Sequence, residues 1–498
     1  MGKQSAPSET TNELQTRIEK LTRVLDLAGQ LMSETNLDHL LEIIVNEARL
    51  VLNADRCTLW VIDHEDDQLW TRVAGGLEKA EFIRIPLSTG IAGRVARTGE
   101  TINISNAYED PNFNRDIDQE TGYTTNSILA VPMKHRTGKI TGVLQALNRL
   151  DGCPFDSDDV SLLIALGTNS AAAIENSMLH YDIDLLFEGF VKASVTAIES
   201  RDPTTSGHSE RVSTFSLNIA QSASRIKTGP YRDYQIPLEG LRELRYAALL
   251  HDFGKVGVSE NVLVKAKKLY PWELEVVEAR FHSLKLQREN SFFKDVIKSY
   301  QMGSPLPEAS SDLLTRELKE LDELIDFVRK CNEPTVLPSS HFERLTEIEG
   351  LQYYDLRGES AAILSPAELT RLRIPQGSLD EQERLEIESH VAHTFKFLQQ
   401  IPWTRSLRNI PSIALGHHEK LDGSGYPKGQ HANEISPPTR MMTIADIYDA
   451  LTARDRPYKK AVSVEKALDI LNNQAKARKV DAALLEIFIE SKGYLPST

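Results

Sequence analysis

The chain opens with polar residues, and positions 1–19 are assigned to a disordered tail. From Glu13 to Ser33 apolar residues recur at helical spacing through Leu14, Ile18, Leu21, Val24, Leu25, Leu27 and Leu31. A second helix is predicted from Leu37 to about Leu52, with Asn36 placed to cap it. At Cys57 the period drops from helical to two. Cys57–Asp63 reads as a strand, His64–Asp67 as a turn, and Leu69–Val73 as the returning strand. A short helix follows at Ile91–Arg97, and further strands at Ser127–Met133 and Ile140–Asn148. The run Asp156–Asp159 then opens a helix that continues almost without a breaker to Arg201. The first part of the chain is therefore an antiparallel sheet flanked by helices, an α/β unit, joined to the remainder by a long helix.

The second part carries helical periodicity nearly throughout and predicts an all-α domain. The segment from Asp202 to Gly207 breaks the long helix, and a new one starts with His208 in its first turn and Val212, Phe215, Ile219 and Ala220 at core spacing. A small apolar run, Arg245–Leu250, ends in His251-Asp252-Phe253-Gly254-Lys255. A charged helix from Leu379 leads to His390. Ile413–Leu415 delivers His417 and His418 ahead of a glycine-rich turn closed by Tyr426 and Pro427. Met441–Ala445 delivers Asp446. Between these helices, residues 267–369 form an inserted segment with helices predicted at Pro271–Phe292 and Ser311–Cys331 and extended pieces near Tyr353–Leu364.

Composition narrows the picture. A chain of 498 residues suggests about three domains, and 40% hydrophobic with 26% charged residues is ordinary for a globular protein. The net charge of −15 argues against a broad DNA, RNA or anionic-membrane surface, though not against a local cationic pocket. Cys57, Cys153 and Cys331 form no paired framework, which fits a reducing compartment. With no apolar signal core and no long uninterrupted apolar stretch, the expectation is a cytoplasmic protein without a membrane span.

The candidate chemistry lies in the helical part. His208, His251, Asp252, His390, His417, His418 and Asp446 all sit within or at the ends of helical runs. Each alone reads as an ordinary core or surface residue; together they are hard to explain that way. Burying His251 and Asp252 without partners would cost several kcal/mol, and a bound cation would offset it. Mixed imidazole and carboxylate ligands without cysteine suit iron, manganese or zinc, and seven ligands are too many for one ion and right for two.

Two resemblances follow from longer stretches. Residues 20–176 resemble a GAF domain, a small-molecule sensing module, through Ala54-Asp55-Arg56-Cys57, Gly90-Ile91-Ala92-Gly93, Asn103–Tyr108, Asp110–Asn114 and Gly142–Asn148. The resemblance lies near the subgroup that binds cyclic nucleotides. That subgroup's spaced signature is matched here by Asn148, Phe155 and Asp159, while Arg149 replaces a lysine and Val160 a glutamate. It implies cAMP or cGMP as a ligand touching Asn148, Phe155 and Asp159; the same residues could instead brace the fold. Residues 177–201 are the linker, a helix able to pair with its own copy in a parallel homodimer.

Residues 202–266 and 370–498, on either side of the insertion, are similar to the HD-GYP family of all-helical cyclic di-GMP phosphodiesterases. The similarity is carried by His251-Asp252-x-Gly254-Lys255, His417-His418-Glu419-x-x-Asp422-Gly423-x-Gly425-Tyr426-Pro427 and Asp455-Arg456-Pro457-Tyr458-Lys459. It implies that the seven histidines and aspartates hold two divalent ions, iron or manganese with zinc as the alternative, and that Asp252 bridges them. It further implies that Lys255 meets the scissile phosphate, that Asp422, Gly423, Gly425, Tyr426 and Pro427 line the substrate, and that Arg456 and Lys459 hold its phosphates. Thr204 stands where members with a third metal carry glutamate, so two ions are expected. The implied activity is hydrolysis of cyclic di-GMP to linear pGpG, and on to GMP if the product is cut again. The alternatives are another cyclic dinucleotide such as cyclic GMP-AMP, or a non-catalytic module that responds to the messenger.

Overall fold

A computed structural model describes residues 9–71, 83–113, 115, 118–119, 122–135, 137–202, 206–303, 309–453 and 461–495. It divides into two compact units, Met1–Glu188 and Gly189–Thr498. The division falls inside the stretch read as the linker.

The first unit begins with α1 (Glu9–Ser33) and α2 (Leu37–Val51). Residues 9–19, assigned to a disordered tail, are helical: periodicity marks the helix only from Leu14 onward, and its first turn, from Glu9, has no apolar position to show it. Asn36 caps α2 as expected, its Oδ1 accepting the His39 N–H at 3.0 Å. Six antiparallel strands follow: β1 (Ala54–Asp63), β2 (Gln68–Thr71), β3 (Ile83–Pro86), β4 (Ile102–Ile104), β5 (Ile128–Lys134) and β6 (Ile140–Arg149), ordered β3-β2-β1-β6-β5-β4. The short strands β3 and β4 were not read from the sequence. Arg72 and Val73, read into the strand now seen as β2, lie outside the described residues.

Alternation along β1 explains why the sheet is covered on both faces. Leu59 and Val61 enter one core with residues of α1, α2 and β5, and with Leu162, Leu163 and Leu166. Trp60 and Ile62 enter a second core with Leu69 and with Ile91 and Val95 of α3 (Gly90–Thr98). The long helix is α4 (Ser157–Arg201), 45 residues in all. Its start is held by Asp156, whose Oδ1 accepts the N–H groups of Asp158 and Asp159 at 2.8 and 2.9 Å.

Among the described residues the strands of the second unit are those of one small hairpin, β7 (Gln352–Tyr354) and β8 (Ser360–Ala362), and the other elements are helical. α5 (His208–Ala223) packs on α6 (Leu238–Leu250), and a 3-10 turn, Phe253–Gly257, follows directly. The inserted segment forms α7 (Pro271–Gln301), α8 (Ala309–Cys331) and α9 (Ser339–Glu349), leading into α10 (Pro366–Leu372). It has its own core: Val277, Phe281 and Leu284 of α7 meet Val328 and Cys331 of α8 and Leu345 and Ile348 of α9. Then come α11 (Glu381–Leu398), α12 (Ile410–Leu415), α13 (Pro437–Thr452), α14 (Val464–Lys476) and α15 (Ala482–Glu490). α11 packs on the 3-10 turn, α12 on α6, and α13 on α5. These three contacts gather the polar side chains considered next. Among the described residues no helix is long and apolar enough to cross a membrane.

Candidate metal centre

Buried helices deliver the site. In α6 the run Tyr246–Leu250 is wholly buried, and His251 caps its end with Asp252 next in line. His208 is the first residue of α5, His390 lies inside α11, and Asp446 lies in α13 within a stretch buried on every side. His417 and His418 leave α12 in a turn. The seven side chains come together. Three overlapping groups of mutually close donor atoms can be drawn: His208, His251 and Asp446; His390, His417 and His418; and His251, Asp252 and His417. Asp252 lies between the first two. Its Oδ1 is 3.2 Å from His390 Nε2, and its Oδ2 is 3.6 Å from His251 Nε2 and 3.8 Å from His208 Nε2. Asp446 spans in the same sense, with Oδ1 3.4 Å from His208 Nε2 and Oδ2 3.7 Å from His418 Nδ1.

The hydrogen bonds set the tautomers. Nδ1 of His251, His390 and His417 donates to the carbonyl three residues earlier, Ala248 at 2.6 Å, Ile387 at 2.5 Å and Ala414 at 2.6 Å. Each ring therefore turns a bare Nε2 lone pair inward. Those three Nε2 atoms are buried and have no hydrogen-bond partner. Leaving such an atom unsatisfied costs about 1–3 kcal/mol. Three such atoms aimed at one another's neighbourhood, with two carboxylates among them, fit divalent cations and little else. His208 differs: its Nδ1 donates to Asp449 Oδ2 at 2.7 Å, and Arg211 Nε holds that carboxylate at 2.6 Å. A carboxylate behind a ligating histidine fixes the ring and raises its basicity.

Charge follows the same pattern. Burial pushes the imidazoles of His251 and His417 down, and that of His418 to about 4, so all three are neutral at pH 7, the ligating form. Burial would lower His208 too, but Asp446, Asp449 and Asp252 lift it to about 9. Burial opposes ionisation of Asp252 and Asp446, yet Lys255 with His251 and His390 holds Asp252, and His208, His418 and His251 hold Asp446, well below the usual carboxylate range. Lys255 Nζ sits 2.9 Å from Asp252 Oδ2 and 3.1 Å from Asp202 Oδ2. Burial disfavours its charge, and the two carboxylates outweigh that.

Two threonines lock the frame. Thr394 Oγ1 donates to His251 O at 2.9 Å and accepts the Gly254 N–H at 2.8 Å, tying α11 to the turn after α6. Thr443 Oγ1 donates to His417 O at 2.9 Å. A Cβ on Gly254 would lie 1.9 Å from His390 O, so glycine is required for this approach. Sequence reasoning missed Thr394, Thr443, Arg211, Asp202 and the role of Asp449. Only Asp449 carried a signal, standing three residues after Asp446 on the same helical face.

The glycine-rich loop adjoins the site. Buried Glu419 accepts the Lys428 and Gln430 N–H groups at 2.7 and 2.9 Å and pulls the loop closed. A Cβ on Gly425 would meet Lys420 N at 2.3 Å. Tyr426 lays its ring against that of His418, centroids 4.8 Å apart, and precedes exposed Pro427 across a cis peptide bond. Asp422, by contrast, is turn-forming: its Oδ1 accepts the Ser424 N–H and hydroxyl at 3.0 and 2.7 Å. Gly423 has a positive φ of 82° and sits against the His431 ring. Thr204, Arg456 and Lys459 lie outside the described residues.

In the first unit, the three residues expected at a ligand are occupied with the domain itself. Asn148 Oδ1 accepts from Asn126 N and Ser127 N, and its Nδ2 donates to Thr124 O and Tyr123 Oη. Phe155 is buried in the helix-side core, and Asp159 pairs with Arg149 at 2.8 Å. These contacts brace the join between β6 and α4, and Arg149 takes the bracing part expected of a lysine.

Comparison with known proteins identifies a GAF domain and an HD domain. The profile of the GAF domain matches residues 36–174 and that of the HD domain residues 358–484, a stretch containing His390, His417, His418 and Asp446. A probable 3',5'-cyclic phosphodiesterase, pde-5, of Caenorhabditis elegans is 38% identical over 141 residues, 26% of this chain and 19% of that protein. A cGMP-specific 3',5'-cyclic phosphodiesterase of Drosophila mojavensis is 34% identical over 169 residues, 31% of this chain and 15% of its own length. This chain thus spans less than a fifth of either relative. Among solved structures, the GAF domain of a phosphoenolpyruvate-protein phosphotransferase from Coxiella burnetii aligns over 33% of this chain and 98% of its own, with 20% identity and a TM-score of 0.31. The protein is multi-domain, an N-terminal GAF domain with an antiparallel sheet followed by a helical HD-type domain whose histidines and aspartates form a candidate divalent-metal site.

Proposed function

We propose that the protein is a metal-dependent phosphodiesterase that hydrolyses cyclic di-GMP to linear pGpG under control of its GAF domain. The observation that carries the reading is the set of three buried, unpartnered Nε2 atoms arranged with Asp252 and Asp446 beside the Lys255 ammonium. His208, His251 and Asp446 would hold one ion, and His390, His417 and His418 the other, with Asp252 between them. Two divalent ions, iron or manganese with zinc as the alternative, supply Lewis acidity toward phosphate and activate water for attack. The protein's own part is positional and electrostatic. Lys255 stands beside Asp252 to offset charge that builds on the phosphate oxygens. Tyr426 offers an aromatic face next to His418, suited to stacking on a guanine. The Gly423–Pro427 loop, held by Glu419, keeps that ring in place.

A second reading, a cyclic mononucleotide such as cGMP as substrate, draws on the names of the relatives. Their match covers less than a third of this chain, so it supports a shared module before a shared catalytic centre. Hydrolysis assays on anaerobically purified protein with cyclic di-GMP, cyclic GMP-AMP and cGMP decide between them. Turnover of cGMP alone refutes the main reading, and no turnover with two ions bound favours a non-catalytic module. Asp252→Ala should abolish turnover with the fold largely kept.

For the GAF domain, cAMP or cGMP is the proposed ligand, and calorimetry with no heat from either sinks it. A parallel homodimer is supported by α4 itself. Leu179, Ile183, Leu186, Phe190, Ala193 and Ala197 are exposed and alternate at four- and three-residue steps, the seam of a two-stranded coiled coil. Charged substitution at Leu186 should convert a dimer to monomer in sedimentation; an unchanged mass refutes that seam.

A further inference from the structure

The end of α4 and the residue after it, Asp202, hold the segments of the candidate centre at three points. Glu199 Oε2 accepts the N–H of Gly207, the residue before His208, at 2.9 Å. The Arg201 guanidinium donates to Val256 O at 2.5 Å and Val258 O at 3.4 Å, on the turn that carries Lys255. Asp202, itself buried, accepts from Lys255 Nζ. Lys255 is thereby shared between two carboxylates, one a candidate ligand and one not.

We propose that Asp202 is a positioning residue, sharing the Lys255 ammonium with Asp252 so that the ammonium does not pair with Asp252 alone, which leaves Asp252 able to bind metal and Lys255 to meet phosphate. The inference rests on the metal-centre reading above. The reasoning is electrostatic. An ammonium 2.9 Å from Asp252 competes with any cation for that carboxylate. Asp202 divides its attention. Without that second anion, Lys255 would pair with Asp252 alone, both weakening metal binding and withdrawing the charge from the phosphate side. Asp202 follows directly on Arg201, the last residue of α4, so the anion that shares Lys255 is fixed by the helix end.

A double-mutant cycle on the full-length protein tests this. Manganese affinity is measured by calorimetry for wild type, Asp202→Asn, Asp202→Glu, Lys255→Met and the Asp202→Asn/Lys255→Met pair. Asp202→Asn should weaken binding about tenfold, an energy within the range of neighbouring side chains in one network. Asp202→Glu should restore most of it and carries the test if the asparagine variant does not fold. In the Lys255→Met background the asparagine effect should fall below about twofold. Equal weakening in both backgrounds means that Asp202 acts by its charge alone and overturns the proposal, as does wild-type affinity in Asp202→Asn. Turnover is read beside it with bis(p-nitrophenyl) phosphate and with cyclic di-GMP, where kcat should fall about tenfold with KM little changed. Failure of the dinucleotide alone rejects the substrate reading and leaves the cycle intact.

Discussion

Gly254→Ala tests whether the frame of the site is as tight as it looks. The added methyl would lie 1.9 Å from His390 O, 2.4 Å from Thr394 N and 2.8 Å from Thr394 Oγ1. Two of these are backbone atoms of α11, so no side chain can swing aside to make room. Reaching an ordinary carbon–oxygen separation of about 3.3 Å requires α11 and the 3-10 turn to part by roughly 1.4 Å. Overpacking of this kind costs about 1–3 kcal/mol, and the backbone partners place it at the upper end. For a domain of this size that is on the order of 6–12 °C in melting temperature. The shift also carries His390 away from Asp252 Oδ1, now 3.2 Å distant, and opens the Thr394 staple. Metal content should therefore drop from about two ions per chain toward one, with His208, His251 and Asp446 retaining theirs. Melting followed by calorimetry and metal content by plasma spectrometry read the two effects. Gly189→Ala is the control: it lies in α4 with open space around it and should be neutral or slightly stabilising. A Gly254→Ala variant with wild-type melting and two ions would refute the close packing of α11 on the turn.

Asp449→Asn removes the anionic anchor behind His208 and should weaken metal binding about 10- to 100-fold, measured by competition with a chromogenic chelator; unchanged affinity removes Asp449 from the site's support. Because the carboxylates hold His208 at about 9, its protonated form dominates at neutral pH and competes with metal. Affinity should then rise about tenfold per pH unit up to that value and flatten beyond it, with about one proton released per ion at this histidine, read by calorimetry in buffers of different ionisation enthalpy; a pH-independent affinity refutes the assignment. Asn148→Ala strips partners from two backbone N–H groups and leaves alanine at a φ of +49°, so the GAF unit should lose about 2–4 kcal/mol in denaturant unfolding; no loss means that Asn148 does not brace the fold.

What could be read from the sequence, and what could not, divides along a physical line. Five of the seven clustered residues, His251, Asp252, His417, His418 and Asp446, stood out because they end or interrupt a buried apolar run, as Tyr246–Leu250 does before His251, and burying a polar group leaves a mark in composition. Two helices of the insertion were legible through their own periodicity, although α7 outruns its apolar pattern to Gln301, whereas α9 was not read. Strands β3 and β4 were not, because four and three residues give alternation too few steps to register. The residues that make the cluster into a site were also silent. Asp202 and Asp449 act across 53 and 241 positions, on Lys255 and His208, and Thr394 acts across 143 on His251 O. Nothing local distinguishes such an aspartate from a helix cap or such a threonine from a core filler. The tautomers were equally hidden, since they depend on which backbone carbonyl faces Nδ1 once the turns close. Ligand identity is thus a property of short segments, whereas ligand orientation belongs to the packing of α11 and α13 against α6 and α5. Two proteins could therefore share the first and differ in the second, and Asp202 and Asp449 are the positions at which metal affinity would reveal it.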